Sequence, residues 1–172
     1  GWITDCTLLD NGAEVGAGLY INSDYGTSVT GTSFEGNVAT SAGGGLYTYG
    51  TDDLYMNECT FVDNRAENGA GIYGLYTGLS LYWSSFTGGY ASNDGGAILA
   101  DECTLVAGSC SFTSNRAESE GGALSLDGTY NSSITSCEFA GNQAVSGGGV
   151  HASYISTGLS FTDCGFNGNI AS

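Results

Sequence analysis

Residues 110–124 read CSFTSNRAESEGGAL, and this stretch decides the fold because its frame returns along the whole chain. A Cys stands two residues before Phe112, Asn115 follows three later, Ala117 two after that, and the small run Gly121-Gly122-Ala123 closes on Leu124. Working outward on the Ala position gives Ala13, Ala39, Ala66, Ala91, Ala117, Ala144 and Ala171, spaced 25 to 27 residues apart. The large apolar station becomes Leu8, Phe34, Phe61, Phe86, Phe112, Phe139 and Phe166. Two residues earlier stand Cys6, Thr32, Cys59, Ser84, Cys110, Cys137 and Cys164. A third apolar station precedes these by three residues, at Ile3, Val29, Met56, Leu81, Ala107, Ile134 and Phe161.

Apolar stretches of three to five residues with alternating character are too short for helices and carry no 3.6-residue stripe. A coil of about 26 residues cannot bury its own apolar side. Coils must therefore stack at the strand spacing of about 4.8 Å and bury one another's stations as ladders. The expected architecture is all-β, a single-stranded right-handed parallel β-helix with three short strands per coil and six to seven coils. It forms one solenoid domain over residues 1–172, a piece or subunit of a longer solenoid or filament.

Composition agrees with this reading. The chain has 30 Gly and no Pro among 172 residues. Gly suits stacked corners, whereas Pro would delete a ladder hydrogen bond in strands paired on both sides. The recurring Asn11, Asn37, Asn64, Asn115, Asn142 and Asn169 are expected to form an internal ladder, because stacked carboxamides satisfy each other and orphaned backbone groups at a turn. With 18 acids against 2 Arg, the net charge is −16. That balance excludes nucleic acid and polyanionic partners. No apolar run approaches the roughly 20 residues of a membrane-spanning helix, so no direct membrane insertion is expected.

The pairing of Phe-x-x-Asn with Gly-Gly-Ala followed by an aliphatic resembles the repeats of chlamydial polymorphic outer membrane proteins. It is carried by Phe34 to Asn37, Phe61 to Asn64, Phe112 to Asn115, Phe139 to Asn142 and Phe166 to Asn169, with Gly95 to Ile98 and Gly121 to Leu124. The resemblance implies a right-handed β-helix displayed at a cell surface as an adhesin, hence an extracellular or cell-surface location.

Catalytic signals are sparse. A lyase needs a base beside Ca²⁺-binding carboxylates, yet only Arg65 and Arg116 exist, at one repeat position, where pairing with Glu67 or Glu118 is expected. Asp52-Asp53 and Asp101-Glu102 offer adjacent acids without a cationic clamp, and weak calcium binding is the one cofactor reading they allow. His151 falls on an outward position with no triad partner, and the cysteines lack zinc-site spacing. No catalytic residues and no metal site are assigned, and the chain is read as a non-enzyme. Buried thiols acting as small apolar groups are expected, with at most one bridge in the ladder of Cys110, Cys137 and Cys164.

The aromatics are the stronger surface signal. Tyr20, Tyr47 and Tyr73 are expected to stack outward, with Tyr49, Tyr55, Tyr76, Tyr82 and Trp83 in the same half of the chain. Such a face suits protein or the C–H faces of glycans. Stretches such as Thr48 to Asp53, Gly74 to Gly78 and Asp127 to Asn131 read as insertion loops lying on one flank. Asn131-Ser132-Ser133 is an N-glycosylation sequon. Function is thus expected to be structural or adhesive, through end-to-end self-association, flanking repeats, or contact with glycans or a neighbouring cell. The alternative is a carbohydrate-binding or carbohydrate-active β-helix.

Overall fold

In the computed structural model, which describes residues 1–22 and 25–172, all regular structure is β-strand. One coil shows the plan. Leu54–Asn57, Thr60–Val62, Arg65–Ala66 and Ile72–Leu75 follow one another and pair, each in parallel register, with the same segments of the coils on either side. Repetition builds four parallel sheets, here A to D in chain order, of seven, seven, seven and six strands.

The expected three strands per coil are thus four. The Asn-x-Ala segment, read as a turn, contributes the strands of sheet C, of which Arg65–Ala66, Tyr90–Ala91 and Arg116–Ala117 are two residues long. One side chain of each points out and one in, too short a run to display a period. The inward Ala39, Ala66, Ala91, Ala117 and Ala144 are buried and line the sheet C wall of the interior.

The interior is filled by ladders. The rings of Phe34, Phe61, Phe86, Phe112, Phe139 and Phe166 stack with centroids 4.5 to 5.1 Å apart and planes within 10°. That separation is the strand spacing itself, so each Phe lies directly on the next. Leu46, Ile72, Ile98 and Leu124 from sheet D and Val29, Met56, Leu81 and Ile134 from sheet A close the remaining sides.

Among the described residues, each turn between sheets begins with a residue at positive φ. Before the Cys station these are Asp5, Gly31, Glu58, Trp83, Ser109, Ser136 and Asp163; before the Asn station, Asp10, Gly36, Asp63, Gly88, Ser114, Gly141 and Gly168. The run between sheets C and D starts with a left-handed Gly in six coils. At Gly121, for example, a Cβ would strike the carbonyl oxygen of Leu124. The fourth corner, from D to A, turns at Gly50, Tyr76, Glu102, Gly128 and Tyr154. The stretches read as insertion loops are this tight corner together with the strand ends that flank it.

At the Asn station the carboxamide after the left-handed residue turns inward. Asn37 Nδ2 donates to Asn64 Oδ1 at 3.0 Å and to the Leu8 carbonyl at 2.8 Å; Asn115 donates likewise to Asn142 Oδ1 at 3.0 Å and to the Phe86 carbonyl at 3.0 Å. The six Asn form two runs of three, interrupted at Gly89. There the carbonyl oxygen of Gly96 occupies the space a Cβ would need.

The Cys station behaves the same way. The Cys59 thiol donates to the carbonyls of Asn57 and Val29, and Ser84 Oγ accepts the Cys59 N–H at 3.1 Å. All six cysteines are thiols. Cys103, which lacks a place in that ladder, occupies the D-to-A corner as the counterpart of buried Thr51, Thr77 and Thr129.

Candidate functional site

The outer faces divide the chemistry sharply. On sheet C the register brings Arg65, Tyr90 and Arg116 side by side. Arg65 lies over the Tyr90 ring at 6.0 Å, Arg116 pairs with Glu118 at 2.9 Å, and the Tyr90 hydroxyl donates to the same Glu118 carboxylate at 3.1 Å. Arg116 thus meets an expected partner, whereas Arg65 meets an aromatic ring instead of Glu67. Both cations are engaged on one wall.

Sheet D carries the expected tyrosine ladder. Tyr20, Tyr47, Tyr73, Leu99, Ser125 and His151 occupy one outward row. Tyr20 and Tyr47 stack at 5.2 Å, while Tyr73 tilts by 48° and donates to Asp101 Oδ2 at 3.2 Å. Burial pushes the Tyr47 and Tyr73 hydroxyls upward, with the Asp101 charge adding to the shift at Tyr73. Burial also raises the Asp101 carboxyl, helped by Asp127 beside it and opposed by the Tyr73 hydrogen bond. Half-buried Tyr47 and Tyr73 therefore stiffen the sheet, and the row offers little free ring area beyond Tyr20.

Further along the row, His151 Nδ1 lies 3.1 Å from Glu120 Oε2 and beside Ser125 in register. Ser125 is buried and makes no hydrogen bond to His151 among the described residues. The adjacent acids are taken up one at a time, Asp53 accepting from Ser80 Oγ and Asp101 from Tyr73. Among the described residues, no three His, Cys, Asp or Glu side chains are grouped as metal ligands would be.

Three exposed rings lie at the corners on either side of sheet A. Tyr76 and Tyr154 turn the D-to-A corner and Trp83 the corner leaving A, all at φ between 47° and 53°. Their exposures are 52%, 86% and 62%. Other coils place Gly50, Glu102 and Gly128, or Gly31, Glu58, Ser109 and Ser136, at the same corners. A bulky residue in the left-handed region costs about 1–2 kcal/mol, and such strain concentrates at functional positions. Tyr49 meets Tyr76 edge to face at 6.1 Å, and Tyr82 bridges Tyr55 at 5.8 Å and Trp83 at 5.9 Å. The Tyr82 ring lies over Gly108, where a Cβ would come within 2.9 Å of it.

Of the aromatics expected on one face, the structure thus places Tyr20, Tyr47 and Tyr73 on sheet D, Tyr49 and Tyr76 at its end, and Trp83 beyond sheet A. Tyr55 and Tyr82, which the sequence placed in the same half of the chain, lie on sheet A. The signal for that sheet was their place, one and three residues after a Leu, on the outward side of a strand. Asn131, the sequon residue, is exposed but sits in the strand Tyr130–Thr135 rather than in a loop, and its Oδ1 accepts from Thr157 Oγ1 at 3.3 Å.

Four parallel sheets wound from one repeated coil define a β-solenoid repeat protein. The family model described as right handed beta helix region matches residues 1–172, and the chain belongs to that family. No curated protein and no solved structure matches it.

Proposed function

We propose that this chain is a non-enzymatic structural or adhesive module of an extracellular or cell-surface β-helix protein, making contact through the aromatic residues at the two ends of sheet A. One observation carries the reading: Tyr76, Trp83 and Tyr154 are held outward in left-handed backbone that neighbouring coils assign to Gly, Ser or Glu. Residues that raise the free energy of the fold and gain no core contact are explained by what they touch outside it. The strong acidity supports the same reading, since it keeps a rod with open rings soluble and directs it away from polyanions.

The test is attachment. Beads coated with the chain should be retained on cell layers or extracellular matrix under flow. Replacing Tyr76, Trp83 and Tyr154 by Ser should abolish retention while the far-ultraviolet circular dichroism stays unchanged. Equal retention of the variant would refute the reading.

The carbohydrate alternative is favoured by a separate observation, a shallow depression of about 180 Å³ on sheet A bounded by Trp2 and Tyr55.

A further inference from the structure

That depression carries an inference beyond the adhesive reading, a second contact surface that shares only Trp83 with it. The outward row of sheet A runs Trp2, Ser28, Tyr55 and Ser80 in parallel register. Trp2 and Tyr55 therefore stand two coils apart, about 10 Å, and Gly26, Thr27, Ser28 and Asp53 line the depression with them. The next outward row brings Asn57 beside Tyr82, and Trp83 follows at the corner. The face thus runs from one exposed indole, at 88% exposure, through two tyrosines to the other. Both tryptophans of the chain belong to it.

We infer that this face binds the uncharged pyranose rings of a neutral saccharide, one ring seated between Trp2 and Tyr55 and the chain continuing past Tyr82 toward Trp83. The volume is below the ~300–1,000 Å³ of pockets that enclose a drug-sized ligand, so the ligand lies on the face instead of inside it. Aromatic faces take the C–H side of a sugar ring. Sugar hydroxyls donate as well as accept, and the site offers acceptors for them: the Asp53 carboxylate, whose Oδ1 accepts from Ser80, and the Asn57 carboxamide oxygen, which is buried without a hydrogen-bond partner among the described residues. Leaving a buried acceptor unpaired is costly, and a ligand hydroxyl that reaches Asn57 Oδ1 would relieve that cost. Charge selects the saccharide class. Both Arg lie on sheet C, and Asp53 and Glu58 border the sheet A face, so uronates and sulfated sugars are repelled.

The experiment titrates the whole 172-residue chain with neutral cello-, xylo-, manno- and chito-oligosaccharides and with polygalacturonate, by calorimetry and tryptophan emission. At least one neutral series should bind and shift the emission. Trp2→Ser and Tyr55→Ser should each weaken it about tenfold or more, Tyr20→Ser on sheet D should leave it unchanged, and polygalacturonate should bind more weakly. Trp2 is so exposed that its replacement leaves folding intact, which keeps the test valid if Tyr55→Ser misfolds. No response to any neutral series, or wild-type affinity in Trp2→Ser, overturns the inference. Bead attachment measured on the same preparations separates the two claims. Attachment without saccharide binding overturns this site alone, and saccharide binding without attachment overturns the adhesive reading alone.

Discussion

Asn142 Oδ1 receives two hydrogen bonds from Asn115, one from the carboxamide nitrogen at 3.0 Å and one from the backbone N–H at 2.9 Å. Asn142 Nδ2 in turn donates to the Phe112 carbonyl at 2.9 Å. One side chain thus satisfies three buried groups of the preceding coil. Asn142→Ala should destabilise the fold by about 3 kcal/mol or more, since each orphaned group costs about 1–3 kcal/mol. Asn11→Ala, in the exposed first coil, should cost under about 1 kcal/mol. Urea unfolding of the two variants measures both, and equal losses would contradict the ladder's role.

Gly89 interrupts that ladder, and restoring it should fail. Gly89→Asn would supply the missing carboxamide yet drive its Cβ into the Gly96 carbonyl oxygen. The substitution should therefore lower the unfolding midpoint, although it completes the repeat consensus. A raised midpoint would show that the Gly run of this coil can shift to admit the side chain.

Cys103 gives the fold a marked alkaline sensitivity. Burial pushes its thiol from 9.0 up to about 12. A thiol held neutral in the fold, with a lower pKa when unfolded, contributes stability that is complete below about pH 9 and is lost as pH rises toward about 12. Cys103→Thr, the residue of the same corner at Thr51, Thr77 and Thr129, should fold normally and lose less stability between about pH 8 and about pH 11. The tyrosines titrate in both proteins, so the difference isolates Cys103. Parallel pH profiles would contradict the assignment.

The thiols should also separate by access. Cys6 is exposed and Cys164 half-buried, whereas Cys59, Cys103, Cys110 and Cys137 are enclosed. A thiol reagent added to native protein should modify Cys6 first and Cys164 next. The Cys110 N–H donates to Cys137 Sγ at 3.4 Å, and the contact between the two thiols pulls Cys137 down and pushes Cys110 up, yet enclosure should keep both unmodified until unfolding. Mass spectrometry of a time course reads the order, and early labelling of Cys59 or Cys103 would contradict the packing.

Much of this architecture was legible in the sequence. Phe34 to Phe166 and the stations around them repeat so regularly that stacking was the only way to bury them. Sheet C was not legible, because Arg65–Ala66 and its counterparts are too short to show alternation. The D-to-A corner was missed because Gly50, Tyr76, Glu102 and Gly128 share a backbone conformation and no side-chain type. The signal that could have revealed it was Thr51, Thr77, Cys103 and Thr129 at a strict interval of 26. The aromatic face was read by station, which grouped Tyr47 and Tyr73 with Trp83. Station alone says which way a side chain points, whereas the tilt of Tyr73 onto Asp101 depends on the neighbouring coil.

The most direct test of the central claim measures stability and attachment together in a variant carrying Tyr76→Gly, Trp83→Gly and Tyr154→Gly. Relief of left-handed strain should offset the greater chain entropy of unfolded Gly and the lost ring contacts, leaving stability unchanged or raised by about 1 kcal/mol. Bead attachment should be lost in the same protein. A variant that is much less stable, or one that attaches as well as the wild type, would contradict the claim that these rings are held for an external partner.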